Sequence, residues 1–221
     1  MARQDLFTVV HKAIRAMIYD VGPKLQTADF TDGRITKENI TQLEKILRML
    51  REHSENEDRF VFAEVHRFDP GMVDVLKDEH RKIEKRLDLV NGVIGRMQSP
   101  ATTEQKIETG DELNRRFNEL VAFYLTHLYH EETTILPATW KYFTDEQLVV
   151  IRMNTEKTCT PGHYTEWLRW MFASMNNIDL ANMFKGVKTS PSPHVFEGMA
   201  QIVRETLGQG RWLMIKQRAG L

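Results

Sequence analysis

Two short segments of this chain pair an imidazole with a carboxylate at one fixed spacing. His53-Ser54-Glu55-Asn56-Glu57-Asp58-Arg59-Phe60-Val61-Phe62 aligns with His127-Leu128-Tyr129-His130-Glu131-Glu132-Thr133-Thr134-Ile135-Leu136, sharing His-x-x-x-Glu, a second acid and two apolar residues. On a helix, residues four apart lie on the same face, so each pair presents one nitrogen and one carboxylate together. Each copy also follows a lone histidine set in an apolar stripe, His11 before the first and His80 before the second. Ionised carboxylates are too costly to bury without cations or dense hydrogen bonding, and metal ions answer that need directly. Two helical hairpins of one design, related by an approximate twofold, would place two histidines on each of two metals and the two glutamates between them. Imidazole and carboxylate donors without thiolate suit iron or manganese, and zinc binds the same donors.

The elements that must carry these residues are helices. Apolar residues recur at helical spacing almost throughout, and β-branched runs with period-two alternation are absent. Four long segments stand out: about Leu6–Val21, with a kinked continuation past Gly22-Pro23; about Thr36–His66, ending before Asp69-Pro70-Gly71; about Met72–Gln98, stopping at Ser99-Pro100; and one starting between Thr103 and Asp111 and running to about Glu132. Their stripes read Phe7, His11, Ile14, Ile18; then Leu43, Leu47, Leu50, His53, Glu57, Val61; then Val73, Leu76, His80, Ile83, Leu87, Val90, Ile94, with Glu84 beside Ile83; and last Leu113, Phe117, Leu120, Tyr124, His127, Glu131. Short connections between long amphipathic helices favour antiparallel neighbours, so the fold class is all-α, an up-down-up-down four-helix bundle over residues 1–143.

After Pro137 the pattern shortens. Thr144-Asp145-Glu146-Gln147 forms a capping-box sequence, Pro161-Gly162 interrupts, and Trp167, Trp170, Met171 and Phe172 begin an aromatic-rich helix. Asn176-Asn177 and the Ser-Pro-Ser-Pro run at 190–193 separate two further short helices. Residues 144–221 therefore read as a C-terminal helical appendage packed on the bundle, with the Trp167–Met175 stripe as packing surface and a homodimer contact as its second use.

Composition narrows the function classes. With 30 basic and 31 acidic side chains, nothing in the charge balance calls for nucleic acid or an anionic membrane as partner. The single cysteine, Cys159, excludes an intramolecular disulfide, a CxxC redox pair and a thiolate zinc cage, and suits a reducing cytoplasm. The amino-terminal residues run straight into an amphipathic pattern without the apolar core of a secretion signal. No stretch approaches the roughly 20 apolar residues of a membrane span.

The order His, His-x-x-x-Glu, His, His-x-x-x-Glu on four helices resembles the hemerythrin-like (HHE) cation-binding family over roughly residues 6–143. That resemblance implies a non-haem di-iron site. Carried over by motif, Glu57 and Glu131 are bridging carboxylates, and His11, His53, His80 and His127 are terminal ligands. Oxygen-carrying hemerythrins have a fifth histidine where this chain has Glu84, and an aspartate five residues after the last histidine where Glu131 follows at four. Both departures look like the broader bacterial branch and point away from reversible oxygen carriage. As a seventh ligand, Glu84 would harden the site and favour the ferric state.

The remaining polar residues have plainer readings. His130 faces the rim, His66 lies near a helix end, and His163 and His194 open appendage helices as structural residues. Asp58 and Glu132 follow the ligand glutamates and could orient histidines from outside, although solvated acids would look the same. Tyr124, one turn before His127, could donate a hydrogen bond into the pocket. Three functions stay open: a di-iron protein that binds or reacts with O2, peroxide or NO, or senses iron or oxygen; an enzyme consuming peroxide or activating oxygen; and a regulatory module with a structural metal. A ferritin-like site would show Glu-x-x-His pairs with more glutamates than histidines. Haem would leave most of the constellation unused.

Overall fold

A computed structural model describes residues 3–99, 101–188 and 193–221. Among the described residues every regular element is helical: α1 Thr8–Gln26, α2 Gly33–Asn56, α3 Ala63–Val65, α4 Pro70–Met97, α5 Thr103–His130, α6 Leu136–Tyr142, α7 Asp145–Glu156, α8 Pro161–Ser174, α9 Asn177–Lys188 and α10 Pro193–Ala219. Local chemistry sets the starts. Asp32 caps α2 by accepting from the backbone N–H of Arg34 and Ile35, and Asp69 caps α4 through the N–H of Met72, with Pro70 at the first helical position. Thr102 and Gln105 form a reciprocal capping box on α5, and Thr144 and Gln147 do the same ahead of α7. At the head of α9 the Asn176 side chain accepts from the N–H of Ile178 and Asp179. Helix α1 runs through Pro23 to Gln26 without a break. In α10 the helical dihedrals are interrupted at Gly208, whose φ of 80° suits a residue without a Cβ. Of the expected stops, Pro100 and residues 189–192 lie outside the described residues.

The four expected stripes are buried as read, from Phe7, His11, Ile14 and Ile18 on α1 to Leu113, Phe117, Leu120, Tyr124, His127 and Glu131 at the end of the fourth segment. The protein is all-α, a helical bundle with additional C-terminal helices. One local feature departs from the expected regular helices. At Glu57–Phe62 and again at Glu131–Ile135 the chain widens into a π-helical turn, each beginning at the glutamate of a His-x-x-x-Glu copy. Such turns are rare in helices and concentrate at functional sites. The internal repeat thus extends from residue types to backbone conformation.

The chain divides into two compact units. The first comprises residues 1–7 and 17–155, the second residues 8–16 and 156–221. In the first, Val61, Phe62 and Val65 gather with Val73, Leu76, Ile135, Leu136, Leu148 and Ile151 in one apolar cluster that includes both π-helical turns. At the other end of that bundle Phe30 packs against Gly110 so closely that an added Cβ would lie 2.3 Å from its ring. In the second, Leu168, Phe172, Met175, Leu180, Phe184, Val203, Trp212 and Ile215 form the core, with Phe184 and Trp212 edge to face at 5.0 Å. Arg211 ties that unit's loop to its last helix by donating to the Met175 carbonyl and the Asn177 side chain.

Candidate metal centre

The last turn of α2 delivers His53, and the π-helical turn that follows delivers Glu57; α5 delivers His127 and its own π-helical turn Glu131. A lone histidine comes from mid-α4, His80, and another from the second turn of α1, His11. All six side chains are buried, Glu131 and His11 completely. They fall into two groups of four. His11, His53, Glu57 and Glu131 offer ligand atoms within 4.8 Å of one another, and so do Glu57, His80, His127 and Glu131. Both glutamates belong to both groups.

Within each motif the ring nitrogen meets its own carboxylate: His53 Nε2 lies 3.1 Å from Glu57 Oε1, and His127 Nε2 lies 3.2 Å from Glu131 Oε1. His80 Nε2 stands between the two acids, 3.6 Å from Glu57 Oε2 and 3.7 Å from Glu131 Oε1, too far for a good hydrogen bond to either. The outward nitrogens of two of these rings are held by acids. His80 Nδ1 is 3.0 Å from Asp58 Oδ1, and His127 Nδ1 is 2.8 Å from Glu79 Oε2. A proton on Nδ1 leaves the Nε2 lone pair directed at the centre. The Phe62 ring stacks on His80 at 5.0 Å, and the His80 and His127 rings meet edge to face at 4.6 Å, which fixes their planes.

Two carboxylates in so dry a place demand positive charge. Burial is the largest influence on His80 and disfavours its charged ring, yet the hydrogen bond to Asp58 and the nearby carboxylates of Glu131 and Glu57 override it and raise the pKa to about 11. Burial likewise opposes protonation of His127, and Glu131 with Glu79 raises it to about 9. Burial raises the Glu79 carboxyl, but hydrogen bonds from His127 and His130 more than reverse this and leave it below its usual value. In the protein alone, ring protons supply the compensating charge; a metal cation at the same Nε2 atoms would supply it with ordinary neutral imidazoles. The donor set therefore fits a metal of nitrogen- and oxygen-binding preference.

Six of the seven expected site residues come together here, and Glu84 does not. Its carboxylate accepts from Arg51 at 2.8 Å, beside Asp88, and its side chain is about half exposed. One position before His80 on α4, Glu79 meets His127 Nδ1 and His130 Nδ1 with its two carboxylate oxygens. Glu79 had no signal in the sequence, because it sits off the apolar stripe and resembles any surface acid. Asp58 does orient a histidine, and it is the one from the other half of the repeat. Tyr124 is fully buried, but its hydroxyl donates to the Leu50 carbonyl at 3.1 Å rather than into the pocket. Burial, then the Glu57 charge, push its pKa well above 10.0. His66 is exposed, 3.8 Å from Asp74, and His163 and His194 lie outside both groups of four.

A buried pair of His/Glu groups sharing two carboxylates, mounted on a helical bundle, defines a class of metal-binding domain. The family profile described as "Hemerythrin HHE cation binding domain" matches residues 3–147, and the chain belongs to that family. None of the curated proteins matches the sequence. No helix among the described residues is long and apolar enough to cross a membrane.

Proposed function

We propose that the centre binds two non-haem iron ions, one of which His11, His53, Glu57 and Glu131 would hold and the other Glu57, His80, His127 and Glu131. The observation that carries this reading is the sharing of both glutamates by two four-residue groups. One ion would leave half of the histidines without a purpose. Each group of four would offer two imidazole nitrogens and two carboxylate oxygens, a donor set that suits iron. Bound there, iron supplies redox chemistry toward O2, peroxide or NO. The chain's own contribution is to hold the ligands. Asp58 and Glu79 keep protons on the outer ring nitrogens of His80 and His127, the Phe62 ring fixes His80, and the apolar cluster around the two π-helical turns keeps bulk water out. With Glu84 paired to Arg51, about half exposed, the negative charge at the centre comes from two carboxylates. The lone Cys159 and the near-neutral charge balance suit a reducing cytoplasmic setting.

Anaerobic loading of the chain with iron(II), followed by metal analysis and an absorption spectrum before and after exposure to O2, peroxide or NO, tests the reading. Two ions per chain and a ligand-dependent charge-transfer spectrum are expected. Saturation at one ion, with His11 or His80 uncoordinated, would overturn it. A spectrum indifferent to all three ligands would leave a closed, structural centre.

A further inference from the structure

Glu79 stands out because one carboxylate serves two histidines of different standing. Oε2 lies 2.8 Å from Nδ1 of His127, whose side chain is wholly buried, and Oε1 lies 2.8 Å from Nδ1 of His130, whose side chain is 43% exposed. The acid between them is mostly covered, with 14% of its side chain accessible. His127 and His130 are three apart on α5, so their rings project from neighbouring turns and both reach across to α4. Each carboxylate oxygen thus accepts one ring N–H, which orients the planar group in a single way.

We propose that Glu79 is a positioning residue for the metal centre, clamped by His130 so that it holds the Nδ1 proton of His127 and leaves the His127 Nε2 lone pair aimed beside Glu131. This rests on His127 being a ligand, as in the function proposed above. His130 is then an anchor whose one ring nitrogen fixes Glu79, and not a ligand. The arrangement accounts for a polar triad that neither the core packing nor the two His-x-x-x-Glu motifs require. It removes the alternative tautomer of His127, in which the proton would sit on the ligating nitrogen.

The test uses the full chain, zinc(II) as a diamagnetic probe, and Glu79→Gln, which keeps the size of the side chain. A glutamine has one acceptor oxygen and cannot take both ring protons. In the zinc-loaded unaltered chain, nitrogen-resolved NMR should show a downfield, slowly exchanging Nδ1–H on His127. Glu79→Gln should lose or shift that resonance and weaken zinc binding roughly ten- to a hundredfold in competition with a chelator, the usual cost of removing an outer partner of a ligating histidine. The melting curve of the metal-free variant should stay close to that of the metal-free parent. Unchanged affinity with the resonance intact would overturn the assignment, and so would an equal loss of stability with and without zinc, which would make Glu79 structural. If Glu79→Gln fails to fold, His130→Ala gives the same resonance as readout, expected to broaden by exchange; a sharp, unshifted signal would refute the clamp. Failure of the unaltered chain to bind zinc would overturn the two-metal reading itself, and is seen before any variant is made.

Discussion

Residues 156–221 and the helices that carry the two His-x-x-x-Glu motifs fill their cores in opposite ways. Residues 156–221 build theirs from Leu168, Phe172, Met175, Leu180, Phe184, Val203, Trp212 and Ile215, all apolar. The polar residues that are buried as a whole, among those described, are His11, His53, Ser54, Glu57, His80, His127, Glu131 and Thr139, and none falls in 156–221. An apolar core is stable by its own dispersion and loss of water contact. A core with two buried carboxylates and four imidazoles is not, and its stability depends on what neutralises it. The difference teaches where to look for function, because six ionisable groups are retained where leucines would pack at lower cost.

The largest effect that would sharpen this contrast comes from the metal. Because ions bind the native centre and not the unfolded chain, loading should stabilise the fold around that centre by about 4 kcal/mol per ion when free metal stands a thousandfold above its dissociation constant. Calorimetric melting of iron- or manganese-loaded protein against chelated protein measures it, and coincident melts would mean that the polar core needs no cation. Nearly as large is the cost of emptying the apolar core. Trp212 is almost fully buried against Phe184, so Trp212→Ala should cost about 3–5 kcal/mol. Unlike the first effect, this cost should be the same with and without metal in denaturant titrations. A cost that grows or vanishes on chelation would dissolve the distinction between the regions.

A smaller effect separates packing from ligand chemistry within the bundle itself. A methyl group at Gly110 would lie 2.3 Å from the Phe30 ring, so Gly110→Ala should destabilise by about 1–3 kcal/mol while leaving metal stoichiometry untouched. Loss of an ion in that variant would show that strain at Phe30 reaches the centre. The smallest effect concerns Glu84. Paired with Arg51 at the surface, it should contribute less than about 1 kcal/mol, and Glu84→Gln should hold both ions with an unchanged spectrum. If that substitution removes an ion or moves the charge-transfer band, Glu84 joins the centre in the loaded protein, and three carboxylates rather than two set its redox preference.

Much of this was legible in the sequence. Apolar spacing alone determined which residues of each long helix face inward, since a 3.6-residue period leaves one stripe that can be buried. The spacing of His53 to Glu57 and of His127 to Glu131 determined that each pair shares a face, and the repeat determined that there would be two such pairs. The capping chemistry of Thr144 and Gln147 was equally local. What period cannot decide is which flank of a helix meets its neighbour. Glu84 lies one turn after His80 and Glu79 one residue before it, and both are acids beside the stripe. Only the rotation of α4 against its neighbours sent Glu84 to Arg51 on α2 and brought Glu79 under His127 and His130 on α5. The π-helical turns belong to the same category, because regular and widened turns present nearly the same stripe of residue types. The tertiary structure decided them, by packing Val61, Phe62 and Ile135 into one cluster while Glu57 and Glu131 face each other's histidines. A single helix carries its own period in its sequence, whereas the partner of a flanking side chain is a property of two helices and is fixed only when they meet.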